Sequence, residues 1–234
     1  MRLFYFSLLL VVLYSHHASQ NIAADTDSSI YLQQQINKTP LPYDSMKQHI
    51  YNYRKKLSAS SSTTDYAFLE KCFVSVLVDS ILPYWYGTAW DFNGTTQQPG
   101  KGSIACGYFV STVLRDAGIQ LNRVKTGQAA SQLIIKQFAD KKDIKVFSEA
   151  PLDSSLAYIR KKGKGIFIVG LDYHVGFLYN DGSKIWFIHS KWVNPKAVVK
   201  EDAESSGILY YSKYRMIGKI SSNKTLLYGW VHVF

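Results

Sequence analysis

The chain has 234 residues, of which 47% are hydrophobic and 15% aromatic, a composition that excludes a disordered polymer and suits one domain with a real core. Its formal charge is +10. A charge of that sign favours anionic partners, but there is no nucleic-acid motif in the chain.

The N-terminus reads MRLFYFSLLLVVLYSHHASQ. Arg2 precedes an apolar run from Leu3 to Tyr14, and the small residues Ala18 and Ser19 follow. That layout predicts a signal peptide over residues 1–19 and an exported protein, periplasmic or extracellular. An uncleaved N-terminal anchor is the alternative. The run is too short to span a bilayer comfortably and no other stretch is long enough, so stable membrane insertion is not expected. Cleavage removes Arg2, the one charged residue of that segment, and leaves +9. An exported basic chain meets anionic cell-envelope polymers, unless the charge simply keeps the surface soluble.

Residues 20–64 read as an N-terminal arm and helix: a polar stretch over 20–42, a helix over 43–57 and a serine-rich loop over 58–64. Residues 65–234 are expected to form the main domain, which holds the motifs described below. A helix is predicted from Asp65 to Ile81, ending before Pro83, and 84–105 reads as a long loop. Further helices are expected from Cys106, over 128–140 and over 152–161. Then the pattern changes. GIFIVG (165–170) is a continuous apolar run that suits a buried strand. Tyr210–Ile220 and Leu226–Phe234 read as further strands. Helices first and strands later predict an α+β domain.

Two segments carry chemistry. In SIACGYFVSTVLRDAG, Phe109, Val110, Val113, Leu114 and Ala117 fall on one helical face, with Ser103 as the expected cap. Cys106 then sits in the first turn. N–H groups and the positive helix end there would lower a thiol pKa, and the same groups could hold an oxyanion. Gly107 would keep the space beside the sulfur open. An ordinary packed cysteine fits this segment as well. Cys72 lies in an apolar helical run and reads as packing, although export makes a disulfide conceivable.

The second segment is HVGFLYNDGSKIWFIHS, 174–190. Asp181-Gly182 predicts a two-residue hairpin loop that pairs Asn180 with Ser183. His174 then lies directly opposite His189, with Cβ atoms about 4.5–5.5 Å apart. The shared face is His174, Gly176 and Leu178 with Ile185, Phe187 and His189. One imidazole could take a thiol proton while its neighbour fixes the tautomer; two unrelated strand-end histidines are the plainer reading.

The order of these elements resembles the NlpC/P60 branch of papain-like cysteine peptidases. LPYWYG (82–87) resembles that family's PYxWG-type segment, and residues 105–123 look like its nucleophile helix. The hairpin resembles its two catalytic strands. The family usually has Asp before the cysteine and Ser-Gly after it, where this chain has Ala105 and Gly107-Tyr108. The resemblance implies a nucleophile helix packed on an antiparallel sheet, with extra N-terminal helices. It implies Cys106 as nucleophile, His174 as base, His189 as orienting residue and Tyr84 beside the nucleophile. The implied reaction is hydrolysis of amide bonds in peptidoglycan stem peptides, without a cofactor. Metal-ligand and phosphate-loop motifs are absent from the sequence.

Trp85, Trp90 and Trp192 flank these motifs and could line a substrate groove, or simply pack. Asp172 could tune His174 or sit at a solvated strand end. Three sequons (Asn37, Asn93 and Asn223) read as chance. A thiol acyltransferase, a lipid or small-molecule amide hydrolase, and a non-catalytic wall-binding module are the alternative functions.

Overall fold

The computed structural model describes residues 41–60 and 64–234. The expected signal peptide and most of the arm lie outside the described residues. Tyr43–Phe234 form one compact unit. The helix grouped by composition with the arm, α1 (Tyr43–Ser58), belongs to that unit. A narrow buried stripe of Tyr43, Ile50, Arg54 and Leu57 explains why so polar a helix packs at all.

After Asp65, whose carboxylate caps the helix by accepting from Ala67 and Phe68 N–H, α2 spans Tyr66–Ser75. A π-helical segment, Val76–Ile81, and a short turn, α3 (Leu82–Trp85), continue the same run. The expected stop before Pro83 does not occur. Pro83 falls in the first turn of a restarted helix, where its missing N–H costs nothing.

Beyond an irregular stretch come α4 (Cys106–Asp116), α5 (Arg123–Gly127) and α6 (Ser131–Phe138). The remaining elements are β1 (Ile144–Ser148), α7 (Leu152–Lys162), β2 (Gly165–Leu171), β3 (Val175–Asn180), β4 (Ile185–Ser190), β5 (Val198–Asp202), α8 (Gly207–Tyr211), β6 (Tyr214–Lys219) and α9 (Lys224–His232). All pairings in the six-stranded sheet are antiparallel, in the order β1-β6-β2-β3-β4-β5. The domain is therefore α+β.

Every residue of β2 is buried, as a continuous apolar run requires. Ile166 and Ile168 join a core with α2, α4, α6 and α9, while Phe167, Val169 and Leu171 join a second core with α7 and α8. The sheet is thus covered on both faces.

Two strand expectations need correction. Residues 210–213 end a helix and turn into β6, and 226–234 are mostly helical. Asn223 caps α9 by accepting from Leu226 N–H, and Trp230 Nε1 donates to Ala117 O, so tertiary packing decides the outcome. Arg54 secures the same end, donating to the carbonyls of Trp230 and Val233. No helix among the described residues is long and apolar enough to cross a membrane.

Candidate active site

Cys106 begins α4, but the helix start differs from the expectation. Ala105 holds the cap position and gives no side-chain cap. Ser103 instead lies in a β-bridge with Ala89. The irregular stretch before the cysteine is pinned by its backbone: Ile104 N–H donates to Ala89 O and Ala105 N–H to Gly94 O. Arg123 adds bonds to the carbonyls of Thr95 and Thr96. Gly107 does not open space beside the sulfur. A Cβ there would come within 2.2 Å of Gly127 O, so the glycine permits close approach of α5.

The half-buried Cys106 thiol is pushed up from its ordinary pKa by burial. Hydrogen bonds from the N–H groups of Val175, Gly107 and Cys106 itself pull the other way without prevailing. The expected helix-start donors are therefore in place, while the expected lowering is outweighed by desolvation. The Val175 bond matters for geometry: the first residue of α4 meets the first residue of β3, next to His174. Ser190 strengthens this junction from β4, its hydroxyl donating to Ile104 O at 2.6 Å.

The hairpin register differs from the expected one. Asn180 pairs with Ile185, and Asp181–Lys184 form a four-residue loop. Asp181 organises it, its carboxylate accepting from the N–H groups of Ser183 and Lys184 and from Trp186 Nε1. The slip is two residues, so each side chain keeps its face. His189 is now opposite Gly176, where a Cβ would lie 2.8 Å from both His189 Cβ and Phe187 Cε2. His174 reaches His189 diagonally. Its Nε2 lies 2.7 Å from His189 Nδ1.

The pair is enclosed by rings. Phe187 stacks on His189 at 3.8 Å, and Trp192 stands edge-on to His174 at 4.6 Å. Burial holds His174 well below the usual histidine pKa, helped by its neighbour His189 and opposed by Glu201. Burial also lowers His189, against the pull of Glu201. Near neutral pH both rings are uncharged, and their contact is a hydrogen bond between neutral imidazoles.

Glu201 carries no signal in the sequence that marks it as a site residue. It sits on β5 opposite Phe187, and so on the His189 face of the sheet. Its Oε1 lies 3.4 Å from His189 Nε2 and accepts from Ser206 Oγ; its Oε2 accepts from Lys191 Nζ at 2.6 Å. Burial disfavours its charged form, yet the nearby His189 ring and the bonds from Lys191 and Ser206 hold its pKa down at about 2.

The flanking candidates separate. Trp85 is fully buried and donates to Tyr43 OH, so it cannot line a substrate groove. Tyr84 is half-buried, its ring 5.3 Å from that of Tyr43. Trp90 is half-buried beneath the Lys196 ammonium. Asp172 does not tune His174: Ser212 and the Lys213 N–H hold its carboxylate and keep its pKa low. Cys72 and Cys106 are both thiols. Among the described residues no cluster of three His, Cys, Asp or Glu is arranged to hold a metal.

Comparison of the chain with protein-family models, with curated proteins and with solved structures finds no match.

Proposed function

We propose that the protein is an exported cysteine hydrolase of the NlpC/P60 type, which cleaves amide bonds in peptidoglycan stem peptides. One observation carries the reading: a hydrogen-bonded histidine pair whose first member directly precedes Val175, the β3 residue whose N–H acts on the Cys106 thiol.

With a raised thiol pKa and a lowered imidazole pKa, the resting pair is neutral. His174 takes the thiol proton as sulfur attacks the carbonyl carbon, so ionisation accompanies bond formation. N–H groups at the start of α4 hold the oxyanion. Collapse breaks the C–N bond, and the amine leaves with the proton from His174. Water then attacks the thioester. His174 removes a water proton, the C–S bond breaks, and the thiolate recovers that proton. His189 keeps the His174 ring in place throughout.

The test is incubation with purified cell wall, followed by mass analysis of the fragments released. Peptide fragments from the wild type, and none from Cys106→Ala, support the reading. Equal release by both proteins overturns it, and so does no release by the wild type.

A further inference from the structure

The histidine pair leaves one question of proton position, and a carboxylate on the neighbouring strand answers it. Each neutral imidazole carries one N–H, so a direct His–His contact has two possible directions. In one, His174 Nε2–H donates to His189 Nδ1, and His189 keeps its proton on Nε2. In the other, His189 Nδ1–H donates, which leaves His189 Nε2 with a bare lone pair. That nitrogen is fully buried and makes no hydrogen bond, and Glu201 Oε1 lies 3.4 Å from it. A bare lone pair there would face a carboxylate oxygen, two acceptors against each other. An N–H there faces a negative charge.

We propose that Glu201 is a positioning residue: it fixes the proton on His189 Nε2 and, through His189, makes Nδ1 of His174 the bare nitrogen that accepts the thiol proton. This rests on the hydrolase reading above. Two further contacts suit Glu201 to the role. Ser206 and Lys191 each hold one of its oxygens, which fixes the carboxylate plane and keeps it ionised. Lys191 also offsets its charge, so Glu201 orients the pair without turning it into a stored imidazolium. The charged and titratable groups around the pair are Glu201 and Lys191, with the Cys106 thiol at the far end. No proton leaves Glu201 in the cycle; it stays a carboxylate.

Two measurements test this on the full chain. In the first, nitrogen-15 NMR of the wild-type histidines near pH 7 is expected to show both His174 and His189 as neutral Nε2–H tautomers. A neutral Nδ1–H tautomer at His189 overturns the proposal, as does an imidazolium. This needs no variant, so it holds even if Glu201 variants fold poorly. In the second, iodoacetamide labelling of Cys106 is followed across pH by peptide mass analysis. Glu201→Ala is expected to slow labelling on the order of tenfold to a hundredfold, the range seen for outer partners of metal-bound histidines. Glu201→Gln is expected to recover part of it, because its amide oxygen still accepts. His174→Ala separates the two ideas. If His174→Ala slows labelling but Glu201→Ala does not, the Glu201 role falls and the hydrolase reading stands. If His174→Ala labels at the wild-type rate, the thiol–imidazole reading itself falls.

Discussion

Two polar clusters lie on or beside β-strands of the same sheet, and they are built differently. Arg215 on β6 is 1% exposed and donates to the backbone carbonyls of Leu209, Ser212 and Ala150. The other cluster is His174, His189 and Glu201, with both histidines buried to a similar depth. Each keeps one buried nitrogen without a close acceptor, Arg215 Nε and His189 Nε2. A guanidinium bound to fixed carbonyls cannot exchange a proton at any ordinary pH. Imidazoles facing each other and a carboxylate can, and the direction of their bond is a choice. The first cluster ties chain segments together; under the proposed function the second handles protons.

Substitutions at the proton-handling end carry the largest expected effect. Cys106→Ala is expected to abolish turnover, and His174→Ala to reduce it on the order of 10² to 10⁴-fold, with melting temperatures near that of the wild type. Activity of Cys106→Ala equal to the wild type would remove the distinction between the clusters. The next effect lies at the other cluster and on the other axis. Arg215→Met leaves buried carbonyls without their donor, at a cost of about 1–3 kcal/mol for each acceptor left unsatisfied. For a domain of this size that lowers the melting temperature by roughly 2–4 °C per kcal/mol. Iodoacetamide labelling of Cys106 in the folded fraction should not change. A changed labelling rate in Arg215→Met would show that the clusters are coupled.

How far the sequence reveals these clusters depends on what holds each part. The run 165–170 and the face shared by His174, Phe187 and His189 follow from burial and a period of two, and neither depends on the turn. The register does depend on it: Asp181 accepts four hydrogen bonds and builds a four-residue loop where Asp-Gly alone suggests two. The difference is two residues, so the face is kept and only the direct opposition is lost. β5 has no such signal. VVKED ends in charges that belong to an edge strand, and Glu201 gains its role only from the strand beside it. Leu226–Phe234 is apolar enough for a strand and becomes a helix through a cap and a distant partner. Arg54 looks like a surface cation in the sequence because its carbonyl partners lie far along the chain, and for Arg215 the distant partner is Ala150.

His189 lies between the extremes. As an orienting residue it accepts one hydrogen bond from His174, and an amide oxygen can do the same. His189→Ala is therefore expected to cost less than His174→Ala, and His189→Gln or His189→Asn to recover part of the loss. The split should appear in kcat more than in KM, because the residue holds the base and does not touch substrate. Equal and complete loss for all three substitutions would contradict an orienting role and place a proton transfer on His189 itself.

The smallest expected effect is on stability, and its sign follows from linkage. Folding lowers the pKa values of His174 and His189 from the ordinary 6.5. Below that value the unfolded chain binds protons that the folded site refuses, so stability falls as the pH drops from about 6.5. Glu201 acts in a lower window. Its pKa is about 2 when folded against an ordinary 4.5, so its contribution is present above 4.5 and is lost as the pH falls towards 2. Thermal melts of the wild type should thus show a first decline below about pH 6.5 and a further one below about 4.5. His174→Ala should flatten the first and leave the second. Arg215→Met should lower the whole curve and leave both slopes, because its charge does not titrate in this range. A first decline of unchanged slope in His174→Ala would show that His174 is not a group that refuses the proton.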